Sequence, residues 1–169
     1  MFKIPTRKRP DAAQVLAKLL ALHAEVDAQT AKLVERLPKL TCASGCAGCC
    51  LDELTVFRLE ALAIQDRYGA QFATWSAGPV GACAFLDEHN ACRVYERRPY
   101  VCRTQGLPLR WVEQLELRDI CELNAHVALS ALPEEDCWTL GEVEGRLATL
   151  QVLLDGAPTR VALRGLLGE

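Results

Sequence analysis

Residues 41–50 read TCASGCAGCC, with four cysteines and two glycines in ten positions. The cysteines, Cys42, Cys46, Cys49 and Cys50, are spaced C-x3-C-x2-C-C. Gly45 and Gly48 interrupt any regular period, and the remaining side chains are too small to pack. Such a stretch must take its order from something else, and a bound metal is the natural supplier, because ligation contributes folding free energy. A short loop lets several sulfurs converge while backbone N–H groups point at them. Thiolate is the ligating form, and a bound cation deprotonates the thiol at neutral pH. In an extended backbone the neighbours Cys49 and Cys50 point opposite ways. They are then expected to serve one polynuclear centre or to straddle two sites, rather than to share one small tetrahedral zinc ion.

Five further cysteines lie at 83, 92, 102, 121 and 137, nine in all. Cys83, Cys92 and Cys102 repeat no knuckle spacing of their own, so they are expected to join the first group by tertiary folding. Cys121 is the candidate eighth ligand, and Cys137, beside Trp138, reads as a buried structural thiol. All-thiolate ligation suits zinc or an iron–sulfur cluster. Eight sulfurs could hold two zinc ions, or one cluster with the rest structural or bound to a second centre. Of the three histidines, His89 reads as a solvated hairpin residue with replacement of one sulfur as the alternative. His23 reads as a surface or core histidine on a helix, and His126 has no motif near it.

Working outward, residues 11–37 predict a helix, with Val15, Leu19, Leu22, Val26, Leu33 and Leu37 at helical spacing. Asp11 caps it and Pro38 stops it. LDELTVF predicts a short strand and RLEALAIQDRYG a helix closed by Gly69. ACAFL and ACRVY around DEHN predict a small hairpin. ERRPYVCRTQG reads as irregular or briefly helical, and 107–122 as strand or loop. HVALSAL suits one or two helical turns, 139–154 a helix, and 158–167 a short closing helix. The fold class expected is mainly α with a small β-hairpin, the helices packed around an irregular cysteine-rich metal-binding centre. One domain is expected over 1–169, with a core at about 42–125.

Half of the 169 residues are hydrophobic, a quarter are charged and the net charge is −3. That is ordinary globular composition, with no bulk field to draw the chain onto nucleic acid or anionic lipid. The basic start MFKIPTRKRP, broken by Pro5 and Pro10, reads as a solvated terminus and not as a signal peptide. No apolar run is long enough for a membrane span. Clustered cysteines without a secretory leader fit a reducing, cytoplasmic setting, where such residues serve metals or redox chemistry.

The run CASGCAGCC followed by ACAFLDEHNACRVYERRPYVCR resembles the CxxCxxCC cysteine-cluster family of YkgJ-like proteins. The likeness covers about 42–125, and its more specific half is Cys83, Cys92, Tyr95, Arg98, Pro99, Cys102 and Arg103. The resemblance implies a zinc- or iron-chelating protein with eight ligands: Cys42, Cys46, Cys49, Cys50, Cys83, Cys92, Cys102 and Cys121. This chain has three residues between Cys42 and Cys46 where the family has two. A flagellin lysine methylase, similar in its cysteine pattern and associated with an iron–sulfur cluster, tilts the implied metal toward iron. Arg98 and Arg103 flank Cys102. They either offset the thiolate charge or bind an anion, or else they make surface salt bridges with Glu96 or Asp87.

The expected function is a metal-binding protein holding an iron–sulfur cluster, or zinc or iron, through these thiolates. The metal is the expected partner, and a protein partner is left open. The alternatives are an enzyme, methyltransferase-associated or redox, that uses the cluster, and a metal-free thiol redox protein built on Cys46, Cys49 and Cys50. Against the enzyme, no glycine-rich cofactor loop follows a strand and no Ser/His/Asp or Cys/His arrangement is legible. A nucleic-acid-binding zinc module is disfavoured by the negative charge.

Overall fold

The computed structural model describes residues 10–42 and 45–168. The basic start, up to residue 9, lies outside the described residues.

Helix α1, Ala12–Arg36, begins where Asp11 and Gln14 cap each other. The Gln14 N–H donates to the Asp11 carboxylate at 2.8 Å, and the Asp11 N–H to the Gln14 side chain at 3.2 Å. This reciprocal box satisfies two of the donors a helix start leaves unpaired. Leu37 is extended, as a residue before proline must be. Val15, Leu19, Leu22, Val26 and Leu33 form one buried stripe. Each such side chain is worth about 1.5–3 kcal/mol removed from water. The stripe packs on helix α4, Glu142–Asp155, through Val143 and Leu147, with Phe57, Leu59, Tyr100, Leu107 and Trp138 completing this core. Gly156, with φ 88°, closes α4 in the left-handed conformation favoured by glycine.

Helix α2, Arg58–Tyr68, has apolar residues on two sides, because it lies between two cores. Leu59 and Ala63 face the α1–α4 core, while Ala61 and Ile64 face a second core with Val56, Phe85, Val94 and Leu163. Cys83 and Cys92 pack against this second core. Two polar side chains serve α2 from inside. The fully buried Gln151 accepts the Leu59 N–H at 2.8 Å. Glu60, buried, accepts the N–H of Tyr100 at 2.7 Å and of Phe57 at 3.3 Å, and meets His23 Nε2 at 3.3 Å. These bonds offset the desolvation that a buried carboxylate otherwise incurs.

The chain is about half helical with small sheets. Strand β1, Thr55–Phe57, is the strand expected in LDELTVF. The expected helix over 158–167 is instead strand β5, Arg160–Ala162, followed by a single turn at Arg164–Leu167. β5 pairs antiparallel with β1, Val56 opposite Val161. Thr159, Val161 and the free edge of β1 outweigh the helical tendency of the leucines. The ambiguous 107–122 stretch is a hairpin of β2, Leu109–Val112, and β3, Glu116–Asp119. β4, Trp138–Thr139, runs parallel to β2 at the point where the α4 helix had been expected to start. Gly69 does not end its helix in the left-handed form; at φ −56° it leads into a tighter turn, Gly69–Thr74. The hairpin expected around DEHN is reduced to one bridge, Leu86 with Cys92. Asp87 curls the intervening turn by accepting the N–H groups of His89 and Ala91, both at 2.8 Å. No helix among the described residues is long and apolar enough to cross a membrane.

Candidate metal centre

Three segments too irregular to be strands lie side by side and carry the sulfurs. The Cys50 N–H closes the glycine-broken turn on Ala47 at 2.9 Å, and the Cys50 carbonyl accepts the Cys83 N–H at 2.9 Å. Leu51 bridges Ala82, and the Arg93 N–H donates to Phe85 at 2.9 Å. Cys50, Cys83 and Cys92 are thereby set on neighbouring segments. Cys102 comes from the short helix α3, Tyr100–Thr104, which follows Pro99. Its first N–H is the one held by Glu60, so the buried carboxylate places the helix that carries Cys102.

Electrostatics show which sulfurs are close. The Cys50 thiol donates to the Cys49 sulfur, which holds Cys49 down to about 6. Cys50 is pushed far up by that same bond, then by burial, then by the charges of Cys49, Cys83 and Cys102. Cys102 is pushed up to about 12 by burial and then by Cys83, Cys92, Glu60 and Cys49. Cys83 and Cys92 are raised first by burial. The Phe85 N–H donates to the Cys83 sulfur and the Val94 N–H to the Cys92 sulfur, each opposing the rise. Arg98 also favours the Cys92 thiolate. Cys49, Cys50, Cys83, Cys92 and Cys102 therefore lie within electrostatic reach of one another. The backbone at Cys49 is a turn and not extended, so the alternation expected of an extended backbone does not apply at this pair.

The remaining cysteines are placed differently. Cys42 is docked against Gly106, and the Asn124 amide donates to its sulfur at 3.3 Å. Asn124 is fully buried, donates to the Gly106 carbonyl at 2.9 Å and accepts the Thr41 N–H at 2.7 Å. Cys46 is half-buried in the turn after Gly45, and Cys121 half-buried ahead of the turn Glu122–Asn124. Cys137 is buried beside Trp138 and makes no disulfide, as expected of a structural thiol. His89 is exposed, its ring 3.7 Å from Glu88, and His126 meets the Lys39 carbonyl at 3.0 Å. Among the described residues, no three Cys, His, Asp or Glu side chains are arranged to hold a metal ion. The cysteine-rich centre is a neighbourhood and not yet a coordination sphere. Its donor chemistry nonetheless fits a thiolate-bound metal: five sulfurs gather, and backbone N–H groups aim at two of them to favour the charged form.

Arg98 and Arg103 do not bind the carboxylates of Glu96 or Asp87. Both hold Asp27 of α1, Arg98 at 3.1 Å. Arg103 also donates to the Glu96 carbonyl at 3.3 Å. Four anchoring side chains carried no cysteine spacing to mark them: Asn124, Asp27, Glu60 and Arg164. Arg164 binds Asp52 at 2.7 Å and donates to the carbonyls of Gly78, Pro79 and Ala82, which fixes the loop that delivers Cys83.

Residues 41–124 match the model of the CxxCxxCC family, described as "Putative zinc- or iron-chelating domain". No curated protein and no solved structure matches the chain.

Proposed function

We propose that this chain, a member of the CxxCxxCC family through its residues 41–124, holds iron or zinc on the sulfurs of Cys49, Cys50, Cys83, Cys92 and Cys102. Cys46, Cys121 and Cys42 complete the ligand set when the glycine-broken loop closes. What supports this reading is that the segments of Cys50 and Cys83 are hydrogen-bonded side by side and that the charges of Cys49, Cys50, Cys83, Cys92 and Cys102, from distant parts of the chain, act on one another. Burying several thiols together without a cation is electrostatically unfavourable, and each charge raises its neighbours. A bound cation reverses the sign of that interaction.

Five or more sulfurs exceed the four that one tetrahedral zinc takes. An iron–sulfur cluster also takes four, so the remaining sulfurs serve a second centre or stay structural, and an iron–sulfur cluster is the form we favour. Such a centre would supply a structural crosslink or an electron-transfer group. The protein's own part is to bury the sulfurs, to orient them through Glu60, Arg164 and the paired backbone segments, and to exclude water on the second core. The metal-free thiol redox reading has one observation in its favour, the Cys49 thiolate stabilised by its neighbour.

Anaerobic purification with elemental analysis and a visible spectrum tests these readings together. Bound iron with broad visible absorption supports the cluster, and colourless protein with stoichiometric zinc supports a zinc centre. A folded, metal-free protein that takes up neither metal, with freely alkylated cysteines, overturns the metal reading.

A further inference from the structure

A cleft of about 560 Å³ opens between α1 and the segments 39–42 and 98–107, with Asp27 in its lining. That volume suits a small organic ligand. Its walls include the apolar side chains of Ala31, Val34, Leu40 and Leu107, with the Cys42 residue at its border. Its charged lining is unbalanced: Lys39, Arg98 and Arg103 against the single carboxylate of Asp27. Asp27 is divided between two guanidiniums, one oxygen to each. The Arg103 side chain is only 3% exposed, and its Nε–H has no partner among the described residues. A buried guanidinium with half a carboxylate, one backbone carbonyl at Glu96 and one unmet donor is incompletely compensated in charge, and low-dielectric walls concentrate the resulting field.

We infer that this cleft binds a small organic anion, an apolar body carrying a carboxylate or phosphate head, with the head on Arg98, Arg103 and Lys39. Guanidinium planes recognise both head groups, and the apolar wall takes the body. The cleft borders the sulfur neighbourhood through Arg98, Arg103 and Cys42, but the inference does not depend on which metal the protein holds.

Isothermal titration of the protein as purified tests it, using 3-phenylpropionate and phenyl phosphate, with 3-phenylpropanol as the uncharged control. Saturable one-site binding of either anion, without binding of the alcohol, is expected, and the anion that binds assigns the head group. Lys39→Gln and Arg98→Gln should each weaken binding roughly tenfold, the loss of one charge-assisted contact. Arg146→Gln, a surface cation on α4, should leave it unchanged. Among the described residues Lys39 makes no ion pair, so Lys39→Gln should keep the wild-type melting temperature and metal content even if Arg98→Gln does not fold. Absence of saturable anion binding, equal binding of the alcohol, or full affinity in Lys39→Gln overturns the inference.

Discussion

Replacing Asn124 with alanine removes the fastening between the first cysteine and the rest of the fold. Three bonds are lost: from the Thr41 N–H at 2.7 Å, to the Gly106 carbonyl at 2.9 Å and to the Cys42 sulfur at 3.3 Å. Thr41 is exposed, so its N–H can turn to water. The first bond then costs only the modest net value of an exchanged hydrogen bond, about 0.5–1.5 kcal/mol. Gly106 is buried, and its carbonyl is left without a partner, at about 1–3 kcal/mol. The contact to sulfur is weak and adds little. The sum is about 3 kcal/mol, or a fall in Tm of roughly 6–12 °C for a chain of this size. Urea unfolding under reducing conditions, on both proteins at matched metal content, reads the difference. Limited proteolysis should cut the variant first within 41–50. A loss below about 1 kcal/mol with an unchanged denaturant slope would show that Asn124 does not anchor the loop.

Gly106 has φ 87°, and a Cβ there would strike the Cys42 sulfur, whereas Gly81, with φ 92°, faces open space. Gly106→Ala should therefore lower Tm clearly more than Gly81→Ala, which carries only the backbone strain of about 1–2 kcal/mol; equal losses would mean that the close packing is unimportant. Cys46→Ser and Cys102→Ser should each lose metal, while Cys137→Ser should keep it, and full loading in all three would refute the ligand assignment. Burial holds the Cys83, Cys92 and Cys102 thiols above their ordinary value, so they are protonated at neutral pH before loading. Each that ligates releases a proton, so apparent metal affinity should rise between about pH 6 and 8; a flat profile by competition with a chelator would argue against these ligands. Asp27→Asn strips the buried Arg103 of its carboxylate and should destabilise more than Glu25→Gln, which frees only the exposed Arg146; melting temperatures of the two variants decide it.

Long helices were legible because burial imposes a period on the chain. The α1 stripe from Val15 to Leu33 and the Asp11 cap are local features, and the structure keeps them to within a residue or two. α4 was legible for the same reason, although Gln151 sits among its buried residues because Leu59 needs an acceptor. The small strands were harder to read. The helix expected at 158–167 is β5, since only the folded chain shows that β1 offers an edge there. The hairpin expected around DEHN shrinks to one bridge, because Asp87 takes up the N–H groups a ladder would use.

Residue types at close spacing declared the chemistry of this protein: thiols around two glycines cannot pack, and soft donors in that density suit a metal. Proximity in space could not be read along the chain. That Cys102 comes within electrostatic reach of Cys83 and Cys92 depends on Glu60 catching the start of α3, and that Cys42 rests apart depends on Asn124 and the missing side chain of Gly106. Such long-range hydrogen bonds leave no periodic trace, because a single buried polar group can join segments separated by any number of residues.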